Sequence, residues 1–277
     1  MIDAHHHVWD LSVRDQEWIT GPEMAPLRRD FGIGDLPVDA AAITATVLVQ
    51  TVTVAQETPE FLALAEAHDL VAAVVGWTDL TTPSVGDDLA ALLAVPGGRY
   101  LRGIRHQVQG EPDPRWLCRD DVRRGLAAVG RAGLVYELLT LPHQLPAAIE
   151  TVAALPEVDF VLDHCSKPPI ASGELEPWAS LIRELAARPN VTCKLSGLVT
   201  EADWGGWTVG DLRPYAGVVL EAFGPDRVMF GSDWPVCLLA APYGTVLESA
   251  RTLTAHLSES ERDGVFGGVA ARVYGLA

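Results

Sequence analysis

Residues 158–197 read VDFVLDHCSKPPIASGELEPWASLIRELAARPNVTCKLSG, and they contain the unit from which the fold is built. An apolar, β-branched run (158–163, VDFVLD) ends at a polar turn with two prolines. A charge-studded helical pattern follows (176–188, EPWASLIRELAAR), and a second apolar run (191–196, VTCKLS) closes the unit. Strand runs that are apolar at nearly every position, joined through a helix, belong to a parallel sheet covered on both faces.

The same alternation extends in both directions. Further strand runs lie at 2–7, 43–50, 71–77, 100–105, 134–139 and 227–232. Helical patterns fill 58–68, 84–95, 113–133, 145–155, 210–224 and 243–257, with Pro and Gly at the joins. Eight strands of this kind predict an α/β chain closed as a (β/α)₈ TIM barrel. Neither a Walker A sequence nor GxGxxG occurs, so nucleotide cradling is not indicated. With 277 residues, 48% of them hydrophobic, the chain can bury a large core. No linker or low-complexity tract divides it, so residues 1–277 read as one domain.

Charge excludes whole classes of partner. Acidic residues outnumber basic ones 37 to 20, a net charge of -17. Such a chain repels a phosphate backbone and has no basic amphipathic face for anionic lipid, so neither nucleic acid nor a membrane is expected. The first residues, MIDAHHHVWD, lack the pattern of a signal peptide, and no apolar run is long enough to span a bilayer. Cys118, Cys165, Cys193 and Cys237 are scattered, as reduced thiols of a cytoplasmic protein would be.

Chemistry concentrates at the strand ends. Strict alternation in IDAHHH sets Asp3, His5 and His7 on one face and Ile2, Ala4 and His6 on the other. Two histidines beside an acid on one buried face are costly unless they act. Asp163 and His164 end the sixth run, and Lys167 follows. Cys165 is turned away from His164 by alternation and reads as an inert buried thiol. Lysine is scarce: only Lys167 and Lys194 occur, both at strand ends, where arginine has not replaced them. In MFGSDWP (229–235), Asp233 closes the last strand beside the histidines of the first, the place for a water-activating base. Arg105 and His106 add cationic and donor groups to the same rim. Trp77, Trp204 and Trp234 offer flat walls, and the Gly-flanked DWGGW suits a sugar ring. Three long connections, 8–42, 106–113 and 197–210, follow strand ends and read as loops over a site.

DxHxH at 3–7, RGIRH at 102–106, LDHxxKP at 162–168, KLSGL at 194–198 and FGSDWP at 230–235 together resemble the amidohydrolase superfamily. More narrowly they are similar to its amidohydrolase-2 branch, which contains L-fuconolactonases, L-rhamnonolactonases and 2-pyrone-4,6-dicarboxylate lactonases. The resemblance covers nearly the whole chain. It implies a distorted (β/α)₈ barrel that hydrolyses a lactone, most naturally that of a sugar acid. Asp233 would activate water, and His5, His7 and His164 would polarise the carbonyl, either directly or through one divalent ion such as Zn²⁺. If an ion binds, His5, His7, His164 and Asp233 are its ligands, and the ion is expected to be weakly held and dispensable. An ammonium at Lys194 would repel a second cation. Arg105, His106, Lys194, Trp77, Trp204 and Trp234 would contact a small-molecule substrate, and a homo-oligomer is compatible with the branch. Two rivals remain open at this point: a metal-dependent decarboxylase or hydratase, and a non-catalytic sugar-acid binding barrel.

Overall fold

The β-branched runs become strands and the Ala/Leu-rich stretches become helices. A computed structural model describes residues 1–38 and 42–276, so residues 39–41 of the predicted long connection 8–42, and residue 277, lie outside the described residues. The strands are β1 (Ile2–His6), β2 (Ala45–Val49), β3 (Val71–Gly76), β4 (Leu101–His106), β5 (Val135–Leu138), β6 (Phe160–Leu162), β7 (Val191–Leu195) and β8 (Val228–Phe230). They lie in sequence order in one sheet, each parallel to its neighbour. The last side of the barrel is drawn together by backbone bonds: Asp233 N–H donates to His5 O (2.8 Å) and His7 N–H to Trp234 O (2.7 Å). The expected (β/α)₈ architecture is the one observed.

The helices are α1 (Glu57–Ala67), α2 (Val85–Ala94), α3 (Asp120–Arg131), α4 (Leu145–Ala154), α5 (Trp178–Ala186), α6 (Val209–Phe223) and α7 (Tyr243–Leu253), followed by α8 (Glu259–Asp263) and α9 (Val269–Tyr274). The pattern over 113–133 starts its α-helix only at Asp120, because a 3₁₀ turn occupies Trp116–Cys118 and Arg119 is extended. The sequence reading had no counterpart for α9, and it matters. Val269, Ala270 and Tyr274 pack in one cluster with the barrel interior, formed by Ala4, Val47, Val49, Ala73, Val75, Val135, Val161 and Met229. The final helix therefore stops the barrel as a plug. Outside the sheet, strand residues such as Leu48, Val74 and Ile104 pack with helix residues such as Leu126, Ile149 and Ile182 in the larger core.

One register fault corrects the sequence reading. Asp3 pairs with Thr46 while His6 pairs with Leu48, so β1 carries one residue more than β2 between them. Such a bulge resets which face each side chain takes. Ala4 joins the barrel interior, and His6 Nε2 turns to Thr46 Oγ1 at 2.9 Å. Asp3 is not on the face of His5 and His7. Its carboxylate accepts from the backbone N–H of Ser232 (2.8 Å) and the hydroxyl of Tyr243 (3.1 Å), tying β1 to the segment that carries Asp233. Burial pushes Asp3 up to about 6, against the hydrogen bonds from Ser232.

Candidate active site

Strand ends deliver the clustered imidazoles and carboxylate, but the backbone that presents two of them is unusual. From His164 to Lys167 four consecutive non-glycine residues are left-handed, with φ of 49°, 52°, 57° and 50°. Asp233 is left-handed as well, at φ 57°. Each such residue costs about 1–2 kcal/mol for an L-amino acid, so surrounding contacts must impose the shape. They are present. The buried Trp178 of α5 donates Nε1–H to Cys165 O (2.8 Å), Ser166 Oγ bonds Thr140 Oγ1 (2.8 Å), and Lys167 pairs with Glu201 (3.0 Å). Gly197 completes the brace, because a Cβ there would stand 2.7 Å from the His164 ring.

So held, three imidazoles converge on one carboxylate oxygen. Asp233 Oδ1 lies 3.5 Å from His7 Nε2, 3.7 Å from His164 Nε2 and 3.8 Å from His5 Nε2. His5 and His7 approach each other at 3.1 Å between their Nε2 atoms. His7 Nδ1 faces the Val49 carbonyl at 2.8 Å. A carbonyl only accepts, so Nδ1 carries a proton and Nε2 is the ring nitrogen turned to the site. His164 Nδ1 meets the Ser196 hydroxyl at 2.8 Å, which can donate or accept. Burial would raise Asp233, but His164, His7 and Lys167 outweigh it, and the carboxyl is held below its usual range. Burial takes His164 down to about 4. Burial and the Lys194 ammonium hold His5 well below the ordinary imidazole value. At neutral pH the site has an ionised Asp233 beside neutral His5 and His164.

A charged stack lies beneath. Lys194 Nζ contacts Glu137 Oε2 (2.7 Å), His5 Nδ1 (3.0 Å) and Asp163 Oδ1 (3.1 Å). Arg105 Nη1 contacts Asp163 Oδ2 (3.0 Å) and His5 Nε2 (3.3 Å), while its Nε–H donates to Gln50 Oε1 (2.9 Å). Tyr274 of the α9 plug donates its hydroxyl to Glu137 Oε1. Burial raises Asp163, yet Lys194, His5 and Arg105 dominate and keep it ionised. Each buried charge thus has an opposite partner, the condition under which burial is tolerable.

Above the imidazoles opens a cavity of about 420 Å³, lined by His7, Arg105, His164, Trp204 and Asp233 among the residues expected from sequence. His5 lies behind this wall, fully buried. The other residues expected to contact substrate do not line this cavity. Lys194 is fully buried under His5 and does not line the cavity. His106 takes Trp77 Nε1–H on its Nδ1 (3.0 Å), faces Glu111 at 2.7 Å and stacks on Trp116, so Trp77 and His106 hold each other. Trp234 is buried against Phe31. Cys165 is buried with its Sγ toward Lys194 O.

Five groups were missed. Glu137 could have been found, since an acid inside the apolar run LVYELL demands a buried partner. Gln50, Trp18, Glu201 and Tyr274 carried no comparable signal, because only the folded loops and plug bring them near.

The donor set fits one divalent ion. Three imidazole nitrogens lie 3.5–3.8 Å from one carboxylate oxygen and two of them lie 3.1 Å apart, spacings close to the roughly 3.3 Å ligand–ligand edge of a tetrahedral zinc site. His5, His164 and Asp233 by themselves already meet as a potential ligand cluster, and so do His5, Glu137 and Asp163 below. The second set is filled by the Lys194 ammonium, which leaves the first as the metal candidate.

A barrel with an HxH pair, a third strand-end histidine and a closing aspartate defines a class, and the chain belongs to it: the amidohydrolase family matches residues 2–276. Among named relatives, it is 43% identical to an L-fucono-1,5-lactonase of Burkholderia multivorans, over 99% of this chain and 96% of that protein. It is 38% identical to an L-fucono-1,5-lactonase of Burkholderia ambifaria, over 99% and 94%. A crystal structure of an amidohydrolase from Burkholderia multivorans with bound zinc superimposes with a TM-score of 0.93 at 41% identity, covering 100% of this chain and 99% of the other.

Proposed function

We propose that this chain hydrolyses the ring ester of a sugar-acid lactone, close in kind to the L-fucono-1,5-lactone of its relatives' names. The observation that carries the reading is the convergence of His5, His7 and His164 on Asp233 Oδ1 at the base of a Trp-walled cavity.

Asp233 accepts a proton from water as that water attacks the ring carbonyl. His164 and the neighbouring Arg105 face the oxygen on which charge develops. His164 can present Nε2–H, its Nδ1 then accepting from Ser196. Once the ring C–O bond breaks, protonated Asp233 returns its proton to the leaving oxygen, and the product is a hydroxy acid. Trp18 and Trp204 flank the sugar ring. A divalent ion, when bound, would be held by His5, His7, His164 and Asp233 and would polarise the carbonyl. The lactone ester is already activated, so the donors of His164 and Arg105 suffice and the ion is dispensable.

The non-catalytic alternative is disfavoured because no member of the Asp233–histidine set is displaced. The chain has four free cysteines, and among its described residues no helix is long and apolar enough to cross a membrane. We assign it to the cytoplasm and to sugar catabolism. The test is a panel of neutral aldonolactones followed by pH indicator. Turnover of at least one, abolished by Asp233→Asn, is expected; a folded protein inert on every member overturns the reading.

A further inference from the structure

We infer that the ion pair of Lys167 and Glu201 on the cavity wall is a substrate filter, gripping hydroxyls of an uncharged ring and rejecting lactones that carry an anionic substituent. The inference rests on the lactonase reading above and adds to it the charge class of the substrate and the residues that select it.

Both side chains line the same cavity as His7, His164 and Asp233. Their Nζ–Oε1 separation is 3.0 Å, and each is 22% exposed, so the pair is held yet reachable from the cavity. Each partner is anchored to the catalytic frame. Lys167 ends the left-handed turn that begins at His164. Glu201 ends a 3₁₀ turn (Val199–Glu201) fixed by Thr200 Oγ1–H to Gly197 O (2.8 Å) and Trp204 Nε1–H to Thr200 O (2.8 Å), and Gly197 is the residue packed against the His164 ring.

Charge bookkeeping decides what such a wall accepts. Among the described residues lining the cavity, the fixed cations are Arg105 and Lys167. Each already has a carboxylate partner at 3.0 Å, Asp163 and Glu201 respectively. Asp233 adds a negative charge, and the whole chain stands at -17. A substrate carboxylate would meet no free cation and would have to displace Glu201 from Lys167. A hydroxyl pair instead satisfies both halves: the ammonium donates to one oxygen while the carboxylate accepts from the other O–H. Rejection by an occupied cation is selection through repulsion, as effective as added attraction.

The test compares a neutral aldonolactone with the aldarolactone that differs from it by one carboxylate. Glu201→Gln keeps the shape and frees the Lys167 charge. Its kcat/KM on the aldonolactone should fall roughly tenfold to a hundredfold, the scale of a hydrogen bond to a charged group, mainly through KM. On the aldarolactone kcat/KM should rise by a similar factor. Lys167→Met should weaken the neutral substrate without admitting the anion. Variants that melt like the wild type but leave both KM values and the substrate ratio unchanged overturn the filter. Binding by calorimetry of a 1,5-anhydroalditol and its carboxylated counterpart reads the pair without turnover. If the wild type hydrolyses no lactone yet Glu201→Gln shifts this binding preference toward the anion, the reaction reading falls and the filter stands. If the preference does not move, the filter falls.

Discussion

His164 and Asp233 face each other, Nε2 to Oδ1 at 3.7 Å, from two backbone positions that are both left-handed. Neither is a glycine, so each geometry is imposed by packing around it. The cost is met by a buried Trp178, the Ser166–Thr140 bond and the Asp3 carboxylate that holds Ser232. His164 and Asp233 are therefore held in place by the fold itself, the preorganisation that the proposed stabilisation of a transition state requires.

Asp233→Asn removes the basic oxygen and preserves the shape. kcat should fall by roughly 10²–10⁴-fold with the melting temperature little changed. Steady-state kinetics on an aldonolactone checks this, and a folded variant with most of its activity would remove Asp233 from the role of base.

Gly197→Ala places a methyl 2.7 Å from the His164 ring, at a φ of 66°. The imidazole must move, breaking its bond to Ser196. A displacement near 1 Å should lower kcat by about 10²-fold, and the measurement is kcat beside a circular-dichroism control.

Lys194→Met strands Glu137 and Asp163 without their shared cation. Removing one member of a buried charge set costs roughly 3–5 kcal/mol. Urea denaturation should show that loss, and Glu137→Gln added to Lys194→Met should recover part of it.

Zinc should bind weakly. The ligand His5 already lies 3.0 Å from the Lys194 ammonium and 3.3 Å from the Arg105 guanidinium, and both repel a cation. After chelation and elemental analysis, lactone hydrolysis should persist. Activity that disappears and returns in proportion to added Zn²⁺ would make the ion obligatory.

His106 gives a pH signature away from the reaction. Burial holds it below its ordinary value of 6.5, against Glu111, and Nδ1 must stay unprotonated to accept from Trp77. A base with a lowered folded pKa contributes stability that is complete above 6.5 and is lost as pH falls toward that lowered value. Wild type should lose melting temperature below pH 6.5 faster than His106→Gln. Parallel melting curves would show that the imidazole is not responsible.

The strand ends were legible because parallel strands covered on both faces must be apolar along their length, so that His5, His7, His164 and Asp233 stood out where the apolar runs stop. The count of such runs led to the barrel for the same reason. Direction was harder. Alternation places side chains only while register is regular, and one extra residue in β1 moved Asp3 to the other face. The scarcity of lysine marked Lys194 as special, yet only the depth of β7 shows that it serves His5 from below. A rim position likewise does not tell whether an indole turns inward, and Trp77 and Trp234 turn to their neighbours.

The α9 plug has a consequence for how the enzyme is made. The hydroxyl of Tyr274 reaches Glu137 in the charged stack, and Asp3 binds the backbone of Ser232. A nascent chain therefore holds its β1 segment and its half-built floor open to water until the α9 segment has been made. Contacts so distant in sequence form slowly. Activity should thus emerge only after synthesis of residue 274, and a change within α9 acts on a carboxylate 137 residues away in the chain.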